Sequence, residues 1–114
     1  MSERYRTILL PQAQEDIRRI CGYITEELSA PRAALNLLDA FQREIDSLSF
    51  MPQRIKTVDE QPWRDAGIRR LPVKNYYIYF VVDPDEMAVK VIAVIYAGRE
   101  QKKQMSRRSM DKLP

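Results

Sequence analysis

Arg69, Arg70 and Lys74, with Arg99 further on, bracket a stretch that carries four tyrosines, Tyr76, Tyr77, Tyr79 and Tyr96. Guanidinium groups grip phosphates and carboxylates through paired N–H donors. Tyrosine rings stack on bases, and their hydroxyls can pass a proton. Cations and aromatic rings on one sheet therefore suit a polyanion or nucleotide bases. Lys102 and Lys103 extend the basic character past Arg99. The plainer alternative is a solvated basic surface whose tyrosines are ordinary strand formers.

What is missing narrows the chemistry. The chain has no histidine, so acid–base work would fall to Lys, Arg, Tyr, Asp or Glu, and histidine-based metal sites are excluded. No Walker loop, dinucleotide fingerprint, zinc pattern or Ser–His–Asp order is present, so no metal or cofactor is expected. The single cysteine, Cys21, has no internal disulfide partner, which fits a reducing compartment. It falls on a helical apolar stripe and reads as a small buried hydrophobe with nothing to activate it. No apolar run reaches membrane-spanning length and no signal-type segment opens the chain, so the expected location is the cytoplasm.

At 114 residues with 45% apolar content, residues 1–114 are expected to form one domain with a real core. The net charge of +3 is unevenly spread. Residues 1–50 carry six Lys/Arg against eight Asp/Glu, whereas 51–114 carry thirteen against eight. A basic half on a slightly acidic half points to a localised anion-binding face.

The elements that must position these residues follow from periodicity. Residues 4–10 read as a first strand, with Tyr5 and Ile8 among its core candidates. Pro11 ends it and suits the first turn of a helix. From Gln12 to about Leu28 the apolar stripe is Ala13, Ile17, Ile20, Cys21, Ile24 and Leu28. Glu15 and Asp16 are expected in the first turn, off the stripe, where the helix dipole favours anions. Ser29 is expected to cap a second helix opened by Pro31 and running to about Phe50. Its stripe is Ala34, Leu38, Phe41, Ile45 and Leu48, widened by Leu35 and Leu37. Two such helices joined by a tight turn make an antiparallel hairpin, one side of which packs on a sheet.

Residues 53–66 lack a period and read as an irregular loop, with a short extended piece near Ile55–Val58 and Trp63 as a lid on the core edge or a contact for a ligand or partner. Gly67–Val73 is a strand placed at an edge by Pro72. Lys74-Asn75 is a turn, Tyr76–Val82 a strong strand, and residues 83–86 a hairpin turn. Met87–Tyr96 is continuously apolar, as a central strand should be. Arg99 to about Met110 reads as a short C-terminal helix or a basic tail. The fold class is thus α+β, in the order β-α-α-β-β-β, with a helical hairpin on a small, mainly antiparallel sheet.

This order resembles the RelE/ParE superfamily of bacterial toxins from type II toxin–antitoxin systems. The resemblance rests on A-x-x-D-I-x-x-I-x-x-Y-I from Ala13 to Ile24, G-I-R-R-L at 67–71, N-Y-Y-I-Y-F-V-V-D at 75–83 and V-I-A-V-I-Y-A-G-R-E at 91–100. It implies a growth-arresting toxin silenced by a small antitoxin. RelE-like members cut messenger RNA on the ribosome with a Lys/Arg cluster and a tyrosine. ParE-like members share the fold, lack that set and poison DNA gyrase. By this likeness Arg70 and Arg99 fall on basic positions of the nuclease, Tyr77 stands where a third basic residue is usual, and Met105 stands near a usual tyrosine. Glu100 and Lys74 are the candidates for a base. With two positions kept, two replaced and a long hairpin, gyrase inhibition is slightly favoured. An mRNA endonuclease is the alternative, and a toxin-like binding module without activity a third. Arg69, Lys74, Tyr96, Lys102 and Lys103 are expected at the target interface.

Overall fold

The computed structural model describes residues 4–98. A short strand β1 (Arg6–Leu9) leads into helix α1 (Pro11–Glu26) and helix α2 (Pro31–Ser47). A single 3-10 turn at Pro52–Arg54 and a long loop follow, then strands β2 (Arg69–Val73), β3 (Tyr76–Asp83) and β4 (Ala88–Tyr96). The sheet order is β1-β4-β3-β2, with β1 parallel to β4 and the other pairs antiparallel. The expected α+β order and mainly antiparallel sheet are what the chain adopts. The apolar run of β4 is central as expected, and Pro72 lies on the edge strand β2.

The helices cover one face of the sheet. Ala13, Ile17, Leu37, Phe41, Ile45 and Leu48 pack on Val73, Ile78, Phe80, Val89, Val91 and Val94. The opposite face has a core of its own, with Val58, Ile68, Tyr79, Ile92, Ala93 and Ile95 joined by Leu10, Trp63, Tyr77 and Val81. Trp63 is therefore the lid of that second core, and the loop that carries it runs under the sheet. The two cores meet at a β-bulge. Tyr79 pairs with Ala93 and Phe80 with Val91, which leaves Ile92 as the extra residue. A bulge lets consecutive residues share a face, and Ile92 and Ala93 both enter the second core.

Several local expectations change. Glu15 and Asp16 lie in the second turn of α1, not the first, and Asp16 is fully buried on the stripe. Its Oδ2 accepts the Val94 N–H at 2.9 Å. The reason is that β1 is short: its pairing to β4 ends where Leu10 N–H meets the Val91 carbonyl, so α1 supplies the acceptor for a β4 donor beyond that point. In α2, Leu37 takes the core position expected of Leu38. Leu35 and Leu38 are exposed, as is Leu28, since α1 ends before it. Ser29 does not cap α2: its φ is 50°, and Ala30 is the N-cap without a side-chain hydrogen bond. The helix ends at Ser47, short of Phe50, where the Arg54 guanidinium donates to the carbonyls of Ser47, Phe50 and Met51. The extended piece near Ile55–Val58 amounts to one bridge, Thr57 to Arg69.

Candidate functional site

Strand alternation decides which side chains can work together. Arg70 pairs across the ladder with Tyr79, and Pro72 with Tyr77, so Arg70, Tyr77 and Tyr79 share the face away from the helices. The Arg70 guanidinium carbon sits 4.4 Å from the Tyr77 ring centroid. Such a cation–π contact contributes about 0.5–2 kcal/mol, and it fixes the half-buried guanidinium over the ring. Tyr77 in turn meets Tyr79 edge-on at 6.2 Å. Tyr79 is fully buried and forms the floor with Ile68, Ile92 and Ile95. The product is a rigid cation on an aromatic platform, able to hold a phosphate or carboxylate beside a ring.

The other β2 arginine has a different job. Arg69 pairs with Phe80 on the helix side, and its Nη1 donates to the carbonyls of Gln53, at 3.3 Å, and Ile55. It ties the loop that follows α2 to the sheet edge. Lys74 is exposed at the β2–β3 turn, in the left-handed region with φ 53°. Lys90 lies at the opposite end of the sheet, 3.7 Å from Asp83 and 3.9 Å from Glu86.

Tyr96 is not with Arg70 and Tyr77. It pairs with Tyr76 on the helix side, their rings edge-on at 5.6 Å, and Tyr76 meets Phe41 in the same way. The ring of Tyr96 lies over Gly98, where a Cβ would approach it to 2.4 Å, so a larger residue there would displace the exposed ring. Beside these rings is a cleft of about 270 Å³ lined by Arg19, Ile20, Tyr23, Tyr76, Val94 and Tyr96. Arg99, Lys102 and Lys103, with Glu100 and Met105, lie outside the described residues.

Among the described residues, Cys21 and Tyr76 have shifted acidity. Burial pushes the Cys21 thiol up. Burial, reinforced by Tyr96 and Cys21, pushes the Tyr76 hydroxyl up. Both stay protonated at neutral pH, so neither is a base or nucleophile. Among the described residues no cluster of His, Cys, Asp and Glu could hold a metal ion, and no helix is long and apolar enough to cross a membrane.

Sequence reasoning missed Asp16, Arg19 and Tyr23 as a group. The signal was present: Ala13, Asp16, Ile17 and Ile20 have the spacing of a single helix face, so an acid on that stripe required a buried partner.

The comparisons agree with this architecture. The family model "ParE toxin of type II toxin-antitoxin system, parDE" matches residues 7–101. No curated relative matches by sequence. Among solved structures, a chain of the chromosomal ParDE system from P. aeruginosa superposes with a TM-score of 0.68 at 14% identity, over 83% of this chain and 98% of that one. The RelBE2 toxin–antitoxin complex from Mycobacterium tuberculosis gives 0.59 at 16% identity, over 84% and 95%. The RelE–RelB complex from Pyrococcus horikoshii gives 0.55 at 16% identity, over 84% and 98%. At these identities the likeness is one of fold, and the family assignment stands on the model matched across nearly the whole chain. The chain belongs to the ParE toxin family of type II toxin–antitoxin systems, within the RelE/ParE superfamily.

Proposed function

We propose that this toxin arrests growth by inhibiting DNA gyrase, with Arg70, Tyr77, Lys74 and the basic residues Arg99, Lys102 and Lys103 at the target interface. The observation that carries the reading is the state of the described cations of the sheet. Arg69 is engaged by loop carbonyls, Lys90 is tied to Asp83 and Glu86, and Arg70 stands over Tyr77. A phosphorane in RNA cleavage needs several cations converging on it together with a base and an acid. A binding surface needs one oriented guanidinium and a ring. The length of the hairpin, 16 and 17 residues in its two helices, supports the same choice.

A RelE-like endonuclease is the second reading, favoured by Arg70 and Tyr77 sharing one face. The two are separated by expressing the chain and measuring supercoiling by gyrase and cleavage of a defined message on programmed ribosomes. Trapped gyrase–DNA complexes support the first. Message cleavage that disappears in Arg70→Ala and Arg99→Ala overturns it in favour of the second. Unaffected growth with the protein present at high level overturns both.

An antitoxin is the expected partner, as in the two solved complexes. The exposed Leu28, Leu35 and Leu38 on the hairpin offer apolar surface for it, and an acidic segment suits Arg70. Complex formation should weaken with added salt.

A further inference from the structure

We propose that two copies of this chain pair through the solvent face of α2, with the helices antiparallel about a two-fold axis between Leu35 and Leu38. The inward side of α2 is spent on the sheet, where Ala34, Leu37, Phe41 and Ile45 are buried. Its outward side repeats the apolar character on a smaller scale, since Leu35 and Leu38 are 62% and 41% exposed. Residues three apart are neighbours on a helix surface, so these two side chains form one patch. Two large aliphatic groups side by side in water are a packing surface without its other half.

The charges beside the leucines say what the other half is. Arg32 and Asp39 are exposed, one ahead of Leu35 and one just after Leu38. They are seven residues apart, which puts them on one side of the helix but two turns, or about 10 Å, from each other. At that distance they do not reach one another, and neither joins an ion pair among the described residues. An antiparallel copy reverses their order. In the seven-residue notation of paired helices, Leu35 and Leu38 take the a and d positions, and Arg32 and Asp39 take successive e positions. With Leu35 of one copy against Leu38 of the other, the Arg32 of each comes beside the Asp39 of its mate. The two-fold axis makes each contact twice. A parallel pairing instead sets Arg32 against Arg32 and Asp39 against Asp39, and like charges repel.

Other occupants fit this face less well. Asp39 and Asp46, both exposed on α2, oppose a nucleic acid. The hairpin as a whole, residues 11–47, carries seven acids against four arginines, which opposes an anionic membrane surface. A second copy needs nothing from outside the sequence, because one face holds both halves of the match. The same leucines are offered to the antitoxin under the proposed function, so self-pairing belongs to the free chain. Calling it a state of the free toxin rests on that reading; the pairing itself does not.

The test is sedimentation velocity of the full chain alone over a wide range of concentration. The expected result is a reversible monomer–dimer equilibrium. Leu35→Ala should weaken it about tenfold or more, because the truncated contact occurs twice. Arg32→Asp should weaken it about fivefold to tenfold by setting acid against acid at both ends, and Asp39→Arg should do the same with cations. The chain carrying Arg32→Asp and Asp39→Arg together should recover the affinity of the parent, while Arg64→Asp on the distant loop leaves it unchanged. Circular dichroism checks that these variants of exposed residues remain folded. A monomer at every concentration, assembly beyond the dimer, or a doubly exchanged chain no better than either single variant overturns the proposal. Growth arrest by the parent chain reports separately on the toxin reading, which stands whether or not the free chain pairs.

Discussion

Four single residues carry the sharpest consequences. Removing the Asp16 carboxylate leaves the Val94 N–H buried without its acceptor, and an orphaned buried donor costs about 1–3 kcal/mol. Asp16→Ala should lower the urea midpoint accordingly, and Asp16→Asn, which keeps an oxygen in place, should lose less. Lys74 occupies a left-handed conformation that glycine adopts without penalty. Lys74→Gly should therefore hold or raise the thermal midpoint, by up to about 1 kcal/mol, while deleting the cation; reduced toxicity in that variant would place the charge at the target. For Cys21 and Tyr76 burial raises the folded-state pKa above the unfolded one, so their protonated forms favour the fold. That contribution is intact below the unfolded values and is lost as pH rises through the folded ones. Urea midpoints should fall on the alkaline side of about pH 8.5, the free thiol value, and further above about pH 10, the phenol value. Cys21→Ala should remove the earlier part of the decline.

At the scale of elements, periodicity was enough to find both α-helices and the four strands of the described residues, and it failed mainly where a distant residue intervened. The ladder faces of β2 and β3 were readable because a period of two admits only two assignments. The choice between Leu37 and Leu38 was not, because both sit on a wide stripe and only packing against the sheet selects one. Leu37→Ala should cost about 2–5 kcal/mol and Leu38→Ala about 0.5 kcal/mol or less, as measured by chemical unfolding. The end of α2 was overrun because Arg54, seven residues past Ser47, supplies the cap. Nothing local to the helix encodes that. Arg54→Ala should cost about 1 kcal/mol and fray the last turn. The candidate site was half legible for the same reason. Alternation separates Arg70 from Arg69 and Tyr77 from Tyr76 within their own strands, but the strand pairing that sets Arg70 beside Tyr77, the engagement of Arg69 by a loop and the turn of Tyr96 to the other face depend on contacts between elements.

For the whole molecule the decisive fact is that each face of the sheet carries a core and a set of aromatic residues of its own. Far-face variants such as Arg70→Ala should reduce toxicity and lessen the salt dependence of the antitoxin complex. Hairpin variants such as Leu35→Ala should instead weaken antitoxin capture and leave toxicity near that of the parent chain, which paired growth and pull-down measurements would show. The separation also sets a minimum reach for an inhibitor. A segment seated by Tyr96 that is also to cover Arg70 must round the end of the sheet past the Lys74–Asn75 turn. Packed layers lie about 10 Å apart and extended chain advances about 3.3 Å per residue, so the crossing takes on the order of three to six residues beyond the anchor. Antitoxin fragments shortened one residue at a time should pass through a length that still captures the protein yet no longer protects the cell.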